Sequence, residues 1–182
     1  MTVFIAAGYQ EVILPNLWEQ QTFVDKAGPE ILGQMYTFND KKGRDICLLP
    51  EVTAVVQQLF KEQWNGSMKK PVRVFYVQRC YRYERPQKGR YREFTQIGLE
   101  RLGGTDGRDE VIGLLRECLD KFQIDYKLND SVKRGLDYYV EAGFEVEVEN
   151  LGAQKQIAGG GRYDCGIGWA LGLDRLLLSM GS

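Results

Sequence analysis

Histidine is missing from this chain: none of its 182 residues is one. That absence removes every catalytic scheme built on an imidazole base, the Ser-His-Asp and Cys-His hydrolases included. It also deprives the four cysteines of their usual partners at zinc. Cys47, Cys80, Cys118 and Cys165 lie far apart and form no Cys-x-x-Cys pair. They read as reduced thiols of a cytosolic protein, packed as small apolar side chains. No apolar run is long enough to span a membrane, and the opening MTVFIAAGY has neither a basic leader nor an export-length apolar stretch. An excess of one charge is lacking too. The 24 basic residues face 25 acidic ones, a net charge of -1 at pH 7, which argues against general coating of nucleic acid. Chemistry must come from arginines, carboxylates, tyrosines and a bound metal or nucleotide.

What is present suits a soluble globular protein with one core, and a single domain over residues 1–182 is expected. An extended segment at 11–14 is separated by Pro15 from a predicted helix carrying Leu17, Phe23 and Val24. Residues 35–39 and 45–49 read as paired strands about the turn 40–43. Pro50 opens a predicted helix through Ala54, Val55 and Leu59, with Glu51 in its first turn. The β-rich run 72–77 returns through 94–102, and 109–122 has apolar residues at helical spacing. Strands are expected at 136–139, 144–148 and 167–170, with Gly159, Gly160 and Gly161 as a break and 173–180 as a closing helix. Antiparallel strands with helices between them predict an α+β fold: an antiparallel β-sheet flanked by helices.

Charge is concentrated in one place. From Lys69 to Arg92 there are nine basic residues and one acid, Glu84. Within this stretch begins YRYERPQKGRYREFTQ, residues 81–96, where arginines stand at the mouth of a turn about Gly89. A guanidinium offers phosphate a planar fork of donors, so this is a polyphosphate-binding pattern; a solvated hairpin tip is the plain alternative. Arg175 is harder to explain as surface. A helix flanked by leucines accepts an inward arginine only where an anion or acid meets it.

Five segments then fall in order. LLPEVTA (48–54), YRYERPQKGRYREFTQIGLE (81–100), RGLDYY (134–139), GGGRYD (159–164) and ALGLDRLLL (170–178) together resemble the catalytic domain of histidyl-tRNA synthetase, a class II aminoacyl-tRNA synthetase. The resemblance implies ATP-dependent activation of histidine, with Mg2+, and transfer to the acceptor end of tRNA. It implies that Arg82 holds the α-phosphate and the amino-acid carboxylate, with Arg134 as a second positive charge there. Arg90 and Arg175 would grip the outer phosphates, Phe94 would stack on adenine, and Glu84 would fix the adenine or a metal-bound water. Glu51, Thr53 and Gln96 would meet the substrate ammonium. Glu100 and Tyr139 would bracket the imidazole, and Tyr138 and Tyr163 would help to close that pocket. Asp174 is the candidate metal ligand. Each residue has a plainer reading: Glu51 as a helix-dipole partner, Thr53 as solvent-facing, Phe94 and Tyr139 as core, Arg134 as an exposed turn residue, Gly159 to Gly161 as a flexible connection. A histidine-binding regulatory subunit of histidine biosynthesis is an alternative function, and activation of another amino acid a further one.

The departures from the family pattern are specific. Val52 stands where glycine is usual, Tyr83 replaces a histidine, and Asp174 replaces a glutamate. Val140, Glu141 and Ala142 stand where a T-x-T is frequent. The usual insertion is reduced to the stretch 120–131, the first helix of the dimer-forming motif is mostly lost before Ala7, and an anticodon-binding module beyond 182 is not expected. A minimal catalytic core is expected, natural or trimmed by design, with homodimerisation through the segment around Pro15 weakened.

Overall fold

The computed structural model describes residues 1–104, 107–132, 139–152 and 154–181. A short helix α1 (Thr2–Ala6) precedes β1 (Gln10–Glu11), β2 (Leu17–Glu19) and α2 (Gln21–Ala27). β3 (Thr37–Asn39) and β4 (Asp45–Leu48) lead to α3 (Thr53–Leu59), which widens into a π turn at Phe60–Trp64. The long strands β5 (Val72–Tyr81) and β6 (Glu93–Leu102) are followed by α4 (Arg108–Asp120). Then come β7 (Lys127–Val132), β8 (Gly143–Glu147), β9 (Gln156–Tyr163), β10 (Gly166–Gly172) and α5 (Leu173–Met180).

Seven strands form the main sheet in the order β1-β5-β6-β10-β9-β8-β7, and β2-β4-β3 form a small second sheet. β1 runs parallel to β5; the other pairings are antiparallel. The alternation of strand side chains divides the apolar residues between two faces. Phe75, Leu99, Phe144, Ile167, Trp169 and Leu171 pack on one face with Val111, Leu115 and Leu119 of α4. Val72, Val74, Tyr76, Cys80 and Leu102 face the other way, against Phe23 of α2, Val55 of α3, Cys47 of the small sheet and Leu49 just after it. This second face carries the site described below.

The α+β class, the two hairpins and the closing helix follow the sequence expectation, with shifts of a few residues at the ends. Leu17 does not: it lies in β2, opposite Leu48 of β4, and the helix starts only at Gln21. Leu17 and Val24 are seven apart by position, but the first answers a sheet and the second a helix. Pro50 does not open α3 either. The helix begins at Thr53, where the Glu51 carboxylate accepts the N–H groups of Thr53 at 3.0 Å and Ala54 at 2.9 Å, two donors that lack intrahelical partners. Gly159, Gly160 and Gly161 are not a break but the middle of β9. A Cβ at Gly160 would stand 2.2 Å from the Gly168 carbonyl and 2.7 Å from the Phe144 ring, so close packing of neighbouring strands dictates glycine there. α1 and β7 were not expected. Residues 136–138 of the expected strand at 136–139 lie outside the described residues; Tyr139 makes an isolated bridge to Tyr163. All four cysteines are free thiols, three of them buried. Among the described residues, no helix is long and apolar enough to cross a membrane.

Candidate functional site

A cavity of about 460 Å³ opens on the α3 face of the main sheet. Its floor is built row by row from cross-strand partners. Glu100 of β6, Gly168 of β10 and Gly161 of β9 stand side by side in the ladder, as do Gly98, Ala170 and Gly159. The pocket-side positions Gly159 and Gly161 of β9 and Gly168, Ala170 and Gly172 of β10 carry glycine or alanine, while Ile167, Trp169 and Leu171 send their bulk to the opposite face. The floor is thereby one backbone thick.

Cationic side chains form part of the lining. Arg82, Arg90 and Arg175 all border the cavity, together with Glu84, Phe94 and Asp174. The Arg82 guanidinium donates to the Pro50 carbonyl at 2.9 Å and lies 5.2 Å from the centre of the Phe94 ring. Arg90 pairs with Glu84 at 2.9 Å and donates to Gln154 Oε1 at 3.1 Å. Arg175 projects from the first turn of α5 and donates to two carbonyls, Gly89 at 2.6 Å and Gln156 at 2.7 Å. Burial lowers its pKa, and the neighbouring Arg90 and Arg82 charges lower it further, against the pull of Glu84. Cationic groups from the middle of the sequence and from its last helix therefore repel each other at the wall of one cavity, an arrangement that a polyanion relieves.

Asp174 accepts the Thr95 N–H through Oδ2 at 2.7 Å, fixing α5 to β6. Among the described residues no three cysteines and carboxylates cluster as a metal cage. Magnesium does not require one, since it is commonly bound by one or two carboxylates plus substrate phosphates. Glu84 and Asp174, both at the cavity wall, fit that limited role.

A second group of lining side chains is polar: Glu51, Thr53, Gln96 and Tyr139. Glu51 is only 4% exposed because its carboxylate caps α3; the helix-partner reading and the cavity position hold for the same residue. Thr53, expected at the surface in the plainer reading, is buried. Glu100 lies beneath the wall with no exposed surface, accepting the Thr53 hydroxyl at Oε1 and the Tyr163 hydroxyl at Oε2, each at 2.7 Å. Burial raises its pKa to about 8; the Tyr163 and Thr53 hydroxyls oppose the rise and the Glu51 charge adds to it. Tyr139 lies against Gly161, where a Cβ would come within 2.9 Å of its ring.

Among the sequence candidates, Arg82, Glu84, Arg90, Phe94, Gln96, Glu51, Thr53, Tyr139, Asp174 and Arg175 meet at one cavity, with Glu100 and Tyr163 directly behind it. Arg134 and Tyr138 lie outside the described residues. Val52 is fully buried in the apolar core, so its side chain does not intrude on the cavity. Tyr83 is turned out to solvent, edge-on to Tyr36 and under the Arg92 guanidinium. Sequence reasoning missed Gln154, Gln156 and Glu145, which also line the cavity. Three polar side chains flanking a glycine-rich strand were the available signal.

A sequence model described as histidyl-tRNA synthetase matches residues 1–128. The chain is 29% identical to the histidine–tRNA ligase of Methanosarcina acetivorans, over 93% of this chain and 67% of the relative. The histidine–tRNA ligase of Archaeoglobus fulgidus matches at the same identity and over the same shares. The first of these alignments runs over 278 positions, more than the 182 residues available here, so the relative holds a long internal segment without a counterpart in this chain. Among solved structures, apo histidyl-tRNA synthetase of S. aureus superposes with a TM-score of 0.80 at 27% identity, covering 99% of this chain and 63% of that one. A Bacillus halodurans protein described as an ATP phosphoribosyltransferase regulatory subunit/histidyl-tRNA synthetase shares the fold, with a TM-score of 0.80 at 15% identity over all of this chain and 77% of that one. The chain thus spans about two thirds of the curated relatives and somewhat less of the S. aureus structure. With a class II synthetase fold and a match over most of its length, the chain belongs to the histidyl-tRNA synthetase family.

Proposed function

We propose that this chain activates histidine with ATP as a single catalytic domain and presents the product to the acceptor end of tRNA. The observation that carries the reading is the convergence of Arg82, Arg90 and Arg175 on a cavity also lined by Glu51, Thr53 and Gln96. In the reaction, a carboxylate oxygen of the amino acid attacks the α-phosphorus of ATP. The bond to the bridging oxygen breaks, and pyrophosphate leaves with that electron pair. No proton need move in this step, which suits a site without an imidazole base; positioning and charge neutralisation dominate.

Arg82 would hold the carboxylate and the α-phosphate together; its hydrogen bond to the Pro50 carbonyl supports a fixed guanidinium. Arg90 and Arg175 are the partners for the outer phosphates, and Phe94 offers a stacking face for adenine. Magnesium, when bound, supplies positive charge to the leaving phosphates, with Glu84 and Asp174 as the nearest acids. Glu51, Thr53 and Gln96 would take the substrate ammonium. The imidazole would reach Glu100, with Tyr139 and Tyr163 closing the slot. Arg134 and Tyr138 complete the set by resemblance. A polar slot of this kind discriminates well, because an apolar ring would leave Glu100 and its hydroxyls unpaired. A purely regulatory histidine-binding role requires no polyphosphate site, and the clustered arginines count against it.

The test is histidine-dependent exchange of labelled pyrophosphate into ATP. Arg82→Ala and Arg175→Ala should each lower the exchange by ~100-fold or more, the loss typical of a transition-state charge partner. Exchange that is absent from the unaltered protein, equally supported by another amino acid, or indifferent to both substitutions refutes the reading.

A further inference from the structure

Tyr76 belongs to none of the five sequence segments and is not among the residues lining the cavity above, yet its side chain is wholly buried on the pocket side of β5. Its neighbours along that face are Val72, Val74, Gln78 and Cys80; all but Gln78 are apolar or nearly so, and phenylalanine would fill the volume of Tyr76. A buried phenol is costly unless its hydroxyl is bonded. It lies 3.5 Å from Glu100 Oε1 and is also hydrogen-bonded to the Thr53 side chain. Across the ladder from Tyr76 stands Gly98. A Cβ on Gly98 would lie 2.0 Å from the Tyr76 ζ-carbon, so the ring occupies the space that a side chain at 98 would need. A second clearance is at Gly168, where a Cβ would stand 1.7 Å from Glu100 Oε2.

We propose that Tyr76 is a positioning residue for the amino-acid slot, its hydroxyl completing, with those of Thr53 and Tyr163, a three-sided cradle that fixes the Glu100 carboxyl, and that Gly98 makes room for it. The proposal rests on the reading of the slot given above. Thr53 enters from α3, Tyr76 from β5 and Tyr163 from β9, so the carboxyl is held from three elements. The charged and titratable groups facing it are Glu51 ahead of α3, Tyr76, Tyr163 and Cys165. The Tyr76 hydroxyl favours the ionised carboxylate. Without it, Glu100 takes up its proton at higher pH, and the slot loses its acceptor for a ring N–H sooner as pH falls.

The experiment has two arms on the full chain with Tyr76→Phe. In the ligand-free protein, carbon-13 NMR of labelled glutamate carboxyls follows the titration of Glu100; the midpoint should move upward in the variant. In calorimetry and exchange kinetics, the histidine Kd and KM should rise roughly tenfold, the worth of one hydrogen bond to a charged group. The KM for ATP should stay put, and the acid limb of the histidine pH profile should move to higher pH. Gly98→Ala, which drives the ring away, should reproduce the histidine defect if it folds. An unmoved Glu100 midpoint overturns the cradle, whatever the activity. An unchanged histidine KM, or an equal rise for ATP, overturns the positioning role. Histidine-dependent exchange by the unaltered protein reports separately on the reading beneath it.

Discussion

The pH dependence of stability offers an unusually clean test, because the chain has no histidine to titrate near neutrality. Glu100 titrates at about 8 in the folded protein, against an ordinary 4.5. The native state therefore holds a proton that the unfolded chain releases, and stability falls as pH rises between those two values. The contribution is complete below pH ~4.5, declines at about 1.4 kcal/mol per unit, and is gone above pH ~8, a total of about 5 kcal/mol. Urea unfolding at half-unit steps from pH 5.5 to 8.5, for the unaltered protein and Glu100→Gln, isolates it. The amide mimics the protonated carboxyl in shape and charge, so the variant should lose the slope and gain relative stability toward pH 8. Parallel curves would mean that Glu100 is ionised and compensated throughout, and the buried-acid argument would fail.

Two further outcomes are expected. Gly168→Ala sets a methyl 1.7 Å from Glu100 Oε2 and 2.6 Å from the Leu99 carbonyl; with the Thr53 and Tyr163 hydrogen bonds disturbed, a loss of about 3–5 kcal/mol should lower the melting temperature by ~6–20 °C, as thermal denaturation will read. Pyrophosphate should raise the melting temperature, by an amount that shrinks with added salt and largely vanishes in Arg175→Met, as a thermal-shift series at low and high ionic strength will show.

How legible the site was depended on whether a residue's environment was local. Arg175 could be singled out because a charge amid leucines contradicts its own helix, and the loop at 82–92 because its charge is so uneven. Both lie at the cavity. Glu51 could be read two ways, and both describe its position: it caps α3 and lines the cavity. Glycines at 159–161 misled, since glycine usually punctuates; what forbids a side chain at 160 is Phe144 and Gly168, contributed by β8 and β10. The burial of Glu100 was illegible for the same reason, as its three hydroxyl neighbours come from α3, β5 and β9. Leu17 fitted a helical period while serving a strand, and β7, mostly polar with little burial, gave no alternation to read.

The thinness of the cavity floor reaches further than substrate size. Trp169 sits between Gly168 and Ala170, is buried on the far side of the sheet, and donates its indole N–H to the Val111 carbonyl of α4 at 2.9 Å. With no side chains to cushion that stretch, the register of α4 is transmitted to the reaction chamber through a single ply of peptide groups. Alterations on the rear helix, remote from every reacting atom, should consequently tune turnover as strongly as many substitutions at the mouth.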